Sequence, residues 1–224
     1  MDDTTLFATI RERLFTAVLG DVMDAEGLTR QFLPPEIRAL QPDMVVVGRA
    51  MPVLEADCAG EVVGHSGEKH PFGLMLRALD ELKAGEVYVA TGSSHRYALW
   101  GEMMSTRARA LGATGAVVDG FHRDTRGILA LGFPVFSRGA YAQDQRLRGR
   151  VIDYRCPLEF PNGVRVAPGD LLVGDVDGVL VVPKERVADI VRLALAKVEG
   201  EERVRVMIER GESTQAIFDK TGIM

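Results

Sequence analysis

Between Gly85 and Phe136 short apolar runs alternate with segments of helical spacing, and this alternation restricts the fold more than any other feature of the chain. Residues 86–90, 116–119 and 134–136 read as strands, while the segment from Gly101 to about Leu111 and residues 125–131 read as helices. Strand, helix and strand in succession require right-handed crossovers and parallel pairing, so the expected class is α/β. In such sheets ligands gather where strand C-termini meet helix N-termini.

Residues 100–124 offer two such ends. Gly101, Glu102, Met103 and Met104 open a helix, whose unpaired N–H groups and dipole attract an anion. The apolar strand that follows runs into His122, Arg123 and Asp124. Arg123 presents a planar fork that matches a carboxylate, and Asp124 offers the hard oxygen that Mg²⁺ or Mn²⁺ accepts. An acid substrate and a metal fit one pocket on these terms. The plain alternative is a solvated ion pair with Asp124 capping the next helix. His122 faces the opposite side of an extended segment and reads as structural. His65, His70 and His95 fall in loops flanking the proposed site, without a ligand spacing.

The remaining chain frames this stretch. Leu6, Phe7, Ile10 and Leu14 predict a first helix, and Thr16 is placed to cap a second that stops at Gly27. Asp21 and Asp24 lie three residues apart on it and could face one site. After Pro34 and Pro35, residues 44–50 read as a strand; residues 64–71 form a polar loop ahead of a helix over 72–82. Short strands at 164–167, 171–174 and 178–182, separated by turns, predict a small β-barrel or sandwich packed on the first half. Val187, Ile190, Val191, Ala194 and Val198 mark a C-terminal helix, whose continuation is heavily charged. The expected division is an α/β domain over 1–183 and a helical extension over 184–224, which is either solvated or reaches across to pack on a neighbouring subunit.

A net charge of −5 without a basic block argues against nucleic acid as partner. No Gly-rich phosphate loop follows any strand. The N-terminus carries acids where a signal peptide carries bases, and no apolar run reaches membrane length, so a soluble cytoplasmic protein is expected. The two cysteines, Cys58 and Cys156, form no metal-binding spacing and are expected to be reduced. Lys69, Lys83, Lys184, Lys197 and Lys220 all sit among polar or charged neighbours or after a strand, which disfavours Schiff-base catalysis. No Gly-x-Ser-x-Gly elbow is present.

The 101–104 helix start, the 115–124 strand end with its Arg123-Asp124 pair, and the 168–179 run beginning Pro168-Gly169-Asp170 together resemble the RraA-like family over residues 18–183. That family includes class II 4-hydroxy-4-methyl-2-oxoglutarate/4-carboxy-4-hydroxy-2-oxoadipate aldolases. The resemblance implies a β/β/α swivelling-type fold, assembled as a homotrimer or homohexamer with active sites between subunits. It implies a metal-dependent lyase that releases pyruvate from a small 2-oxo acid and can decarboxylate oxaloacetate. Arg123 would bind the pyruvyl part and steady its enolate, and Asp124 would be the direct ligand of Mg²⁺ or Mn²⁺, with waters beside it. Gly101, Glu102, Met103 and Met104 would give backbone N–H groups to the substrate. The Glu102 carboxylate, usually Asp in the family, would orient metal-bound water. Glu201 best matches the acid that a neighbour's C-terminal helix contributes, with Glu199 close enough to compete. The same fold also serves inhibitors of ribonuclease E, so a non-catalytic interaction module is the alternative; an old methyltransferase label has no support from a Gly-rich loop. The chain departs from the aldolases where they carry an Asp-Asn pair: here stand Glu68, Lys69, His70, Pro71, Phe72 and Gly73. The surroundings of Arg96, Tyr97 and Trp100 also differ, which points to a different oxo or hydroxy acid as substrate.

Overall fold

A computed structural model describes residues 2–60 and 70–223. The chain begins with helices α1 (Asp3–Arg13) and α2 (Thr16–Ala25), then strands β1 (Arg38–Ala39) and β2 (Val46–Asp57). The crossover region follows as α3 (Met75–Asp80), β3 (Glu86–Thr91), β4 (Ala98–Trp100), α4 (Glu102–Ala110), β5 (Gly115–Val118), β6 (Phe121–His122), α5 (Thr125–Leu131) and β7 (Val135–Ser137). The chain closes with β8 (Gly149–Tyr154), β9 (Leu158–Glu159), β10 (Arg165–Val166), β11 (Leu171–Asp175), β12 (Gly178–Val182), α6 (Val187–Glu209) and α7 (Thr214–Thr221). Among the described residues no helix is long and apolar enough to cross a membrane.

One sheet runs in the order β1-β7-β5-β3-β2-β11-β12, with β8 also on β2. Pairs β2–β3, β3–β5 and β5–β7 are parallel, as the alternating pattern requires. Strands β8 and β11 of the second half pair antiparallel with β2, so the parallel and β-rich portions share a strand. Residues 46–49 of β2 pair with β11 and residues 53–57 with β8. Pro52 falls between these two partners, where no ladder calls for its missing N–H. The strand therefore runs well past the expected end near Ala50. Residues 31–33 bond to β12 through Leu33 N–H to the Val179 carbonyl and Val181 N–H to the Gln31 carbonyl, both 2.9 Å. Just beyond them β1 pairs with the opposite edge strand, β7, and the sheet nearly closes into a barrel.

The period of two along each strand separates the cores. Val87, Val89, Val117, Phe136, Leu172, Val179 and Val181 face inward and meet Leu158, Phe160, Val164 and Val166 from the β9–β10 hairpin. Tyr88, Ala90, Ala116 and Val118 face outward to the layer that holds α3, α4 and α5. Val47, Leu171, Leu180 and Val182 face α1, α2 and the first half of α6, where the expected stripe of Val187, Ile190, Val191 and Ala194 is buried. The α6 helix turns back through α7, whose Ile217 is fully buried.

Three local expectations change. Thr16 is the first residue of α2, not its cap; its N–H and hydroxyl both donate to the Asp175 carboxylate at 2.7 Å, so the β11–β12 turn closes the helix end from across the chain. The helix expected over 72–82 is confined to Met75–Asp80, because Phe72 and Gly73 adopt φ of 69° and 61°. Asp21 and Asp24 share no site: Asp21 pairs with Lys197 at 3.3 Å, and Asp24 accepts from Gln31 at 2.9 Å. Both cysteines are free thiols.

Candidate active site

Strand β4 and strand β6 form a minimal parallel pair in which Trp100 lies beside His122, and the Arg123 N–H donates to the Trp100 carbonyl at 2.9 Å. That register sets the start of α4 against the start of α5. Gly101 has an extended backbone open to any residue, φ −157° and ψ −178°, so its requirement is space. A Cβ there would stand 2.8 Å from Asp124 Oδ2 and 3.5 Å from Arg123 Cγ.

Asp124 occupies the N-cap position of α5 in the left-handed region, φ 58°, which aspartate tolerates better than most residues. Its side chain does not cap that helix. Instead Oδ2 lies 3.4 Å from the Glu102 N–H at the start of α4, where the helix dipole favours an anion. The capping alternative is thus replaced by a carboxylate shared between two helix starts. Arg123 Nε is 3.7 Å from Asp124 Oδ2, and its Nη1 is 2.9 Å from Asp144 Oδ1.

These groups border a cleft of about 440 Å³. Gly101, Met103, Met104, Arg123 and Asp124 line it together. Asp144 and Gln145 complete its polar side and were not foreseen; their loop has no periodic pattern and lies 20 residues beyond Asp124. Gln145 is buried and donates to Glu55 Oε2 at 2.7 Å. Burial pushes the Glu55 carboxyl up to about 8, opposed only in part by that hydrogen bond. Trp100 forms a wall: its Nε1 donates to Ser105 Oγ at 2.7 Å and its ring stacks on Phe133.

The Glu102 carboxylate is not among the cleft-lining groups. It lies across Gly127, where a Cβ would come within 2.2 Å of its Cδ. Glu201 is on α6 in an ion pair with Lys197 at 3.2 Å, and Glu199 pairs with Arg13 at 3.2 Å. His122 is buried between Ser137 Oγ and Thr125 Oγ1, and burial lowers its pKa, in keeping with a structural role. His95 sits 3.4 Å from Asp119 in a separate cleft with Arg96 and Tyr141, so it does not flank the Arg123 site. His70 is exposed, while His65, Glu68 and Lys69 of the expected site loop lie outside the described residues. Among the described residues no group of three or more His, Cys, Asp or Glu side chains could hold a metal. The donor set suits a hard, well-hydrated divalent cation such as Mg²⁺, which commonly binds through one or two carboxylates and keeps several waters.

A sequence model of the RraA-like family, described as Aldolase/RraA, matches residues 16–181. Over 223 residues the chain is 34% identical to the "Putative 4-hydroxy-4-methyl-2-oxoglutarate aldolase" of Halalkalibacterium halodurans, covering 98% of this chain and 95% of that protein. The fold is similar, with a TM-score of 0.83 and 28% identity, to an uncharacterized protein from Pseudomonas syringae pv. tomato, covering 97% and 94% of the two chains. It is also similar, with a TM-score of 0.77 and 26% identity, to RraAS2 of Streptomyces coelicolor, an unusual member of the RNase ES inhibitor RraA family, covering 91% and 97%.

Proposed function

Because the chain belongs to the RraA-like family, we propose that it is a divalent-metal-dependent carbon–carbon lyase that cleaves a 4-hydroxy-2-oxo acid to pyruvate and a carbonyl product. The observation that carries this reading is the convergence of Arg123, Asp124 and the start of α4 on one cleft. Asp124 would hold Mg²⁺ or Mn²⁺, and the cation when bound supplies Lewis-acid polarisation of the 2-oxo group. Arg123 would take the substrate carboxylate and offset the charge that grows on the enolate oxygen as the C3–C4 bond breaks. Asp144, 2.9 Å from Arg123 Nη1, would orient the guanidinium. The hydroxyl proton would leave to a water, positioned by Glu201 of the partner subunit in a homotrimer or homohexamer or by Glu102, whose carboxylate would first have to swing from Gly127 into the cleft. Oxaloacetate decarboxylation requires the same enolate stabilisation and is proposed as a second activity.

Pyruvate release should be followed by a coupled assay with Mg²⁺ or Mn²⁺ and a chelator control. Arg123→Ala should lose about 100-fold in kcat/KM, the ~3 kcal/mol typical of one oxyanion donor. Asp124→Ala should abolish metal-dependent turnover, and near-normal activity in it would sink the assigned ligand. The likeness to RraAS2 favours a second reading, a ribonuclease-inhibitor-like interaction module. Absence of pyruvate from every 2-oxo acid tried would move the assignment there.

A further inference from the structure

The cleft has two unlike halves. Arg123, Asp124, Asp144 and Gln145 make one side polar, while α3, α4 and the turn before α3 bring Phe72, Met75, Leu76, Leu79, Met103 and Met104 to the other, with the Asp80–Arg107 ion pair the charged groups among them. Met103 and Leu76 are 80% and 57% exposed, large apolar side chains left open to solvent at the same cleft. Phe72 is kept at φ 69°, a backbone that disfavours a bulky residue. Its position is tied down, since the Phe72 carbonyl accepts from Val151 at 3.1 Å and the Leu74 N–H donates to the Val151 carbonyl at 2.9 Å.

Among the described residues, the charges lining the cleft leave little for a second substrate carboxylate. Among the described residues they are Asp80, Asp124 and Asp144 against Arg107 and Arg123, three carboxylates to two guanidinium groups. Arg107 is already bound to Asp80 at 2.8 Å, and Arg123 to Asp144 at 2.9 Å. A carboxylate pressed on the apolar side without a partner would pay its desolvation uncompensated.

We infer that this chain acts on monocarboxylic 4-hydroxy-2-oxo acids whose C4 substituent is an alkyl or aryl group, lodged against Phe72, Leu76 and Met103, and not on dicarboxylic ones. The inference rests on the lyase reading above. The reaction balances without a co-reactant: the hydroxyl proton leaves, the C3–C4 bond pair passes to the enolate, and a proton returns to C3. Its products are pyruvate and an aldehyde or ketone bearing the apolar group. Each methylene lodged on the wall should improve kcat/KM about fourfold, the equivalent of about 0.8 kcal/mol.

Two measurements test it on the full chain with Mg²⁺. In the first, pyruvate release is compared for 4-hydroxy-2-oxo acids with propyl, phenyl and carboxymethyl tails, with oxaloacetate as a substrate that has no tail. The alkyl and aryl compounds should exceed the carboxymethyl one at least tenfold in kcat/KM. Leu76→Arg, at an exposed position, should reverse that preference by tenfold or more. In the second, Trp100, the only tryptophan of the chain and part of the cleft wall, reports binding of 2-oxooctanoate and 2-oxoadipate by fluorescence, with the former at least tenfold tighter. Equal or better use of the carboxymethyl substrate, lost in Arg107→Ala, would overturn the inference while leaving the lyase intact. No pyruvate from any compound would remove the lyase, and the fluorescence preference would then decide the apolar specificity by itself.

Discussion

Asp144 and Glu55 touch the proposed site through Arg123 and Gln145, and a role for each would have a distinct signature. The Arg123–Asp144 pair leaves both side chains about 40% exposed, so solvent weakens it and its loss should be modest. Asp144→Asn is expected to lower kcat/KM about tenfold, mostly through a higher KM, since a freed guanidinium still reaches the substrate but must be ordered by it. An unchanged KM would show that Asp144 does not orient Arg123. Glu55 ionises at about 8 in the folded chain against an ordinary 4.5. Between those values the folded state keeps a proton that the unfolded chain has released, so stability falls as pH rises through that window and levels off above it. The melting temperature should therefore decline from pH 5 to pH 8. Glu55→Gln keeps an oxygen for the Gln145 amide and should flatten that decline; an unaltered slope would exclude Glu55 as its source.

The starts of α4 and α5 are the elements on which the proposed chemistry depends, and a single methyl group tests their fit. Gly101→Ala has no backbone reason to misfold, yet its Cβ would intrude to 2.8 Å of Asp124 Oδ2. The carboxylate would have to leave the α4 N-terminus. The variant should fold, with near wild-type urea unfolding, and lose metal-dependent turnover by at least about 100-fold, comparable to a removed transition-state donor. Full activity would mean that the contact between the two helix starts is incidental. The pair β4–β6 is only three and two residues long, too short to announce itself by alternation, but it sets this entire arrangement.

At the scale of the molecule, α6 buries its first half against α2 and the sheet, while Val206, Ile208 and, on α7, Phe218 remain exposed. That surface fits the proposal that the tail reaches a second subunit and lends it Glu201. Co-expressing Arg123→Ala with Glu201→Ala should then give mixed oligomers whose pyruvate release exceeds that of either variant alone; a mixture no more active than its two parents would place the site within one chain. The α/β class, the parallel crossovers, the Arg123-Asp124 pair and the α6 stripe were readable because each is written in residues near one another, through periods of 2 and 3.6 or through adjacent charges. Asp144, Gln145 and Glu55 were not, nor was the Asp175 cap on α2. Their partners lie tens of residues away, and nothing in local hydrophobic spacing records which loop a sheet will bring to which helix. The apolar wall was also hidden, because Phe72, Leu76 and Met103 belong to two segments that meet only when β8 holds the 72–74 turn beside the cleft. Local chemistry thus determined the elements and the two central side chains, and strand order alone decided what surrounds them.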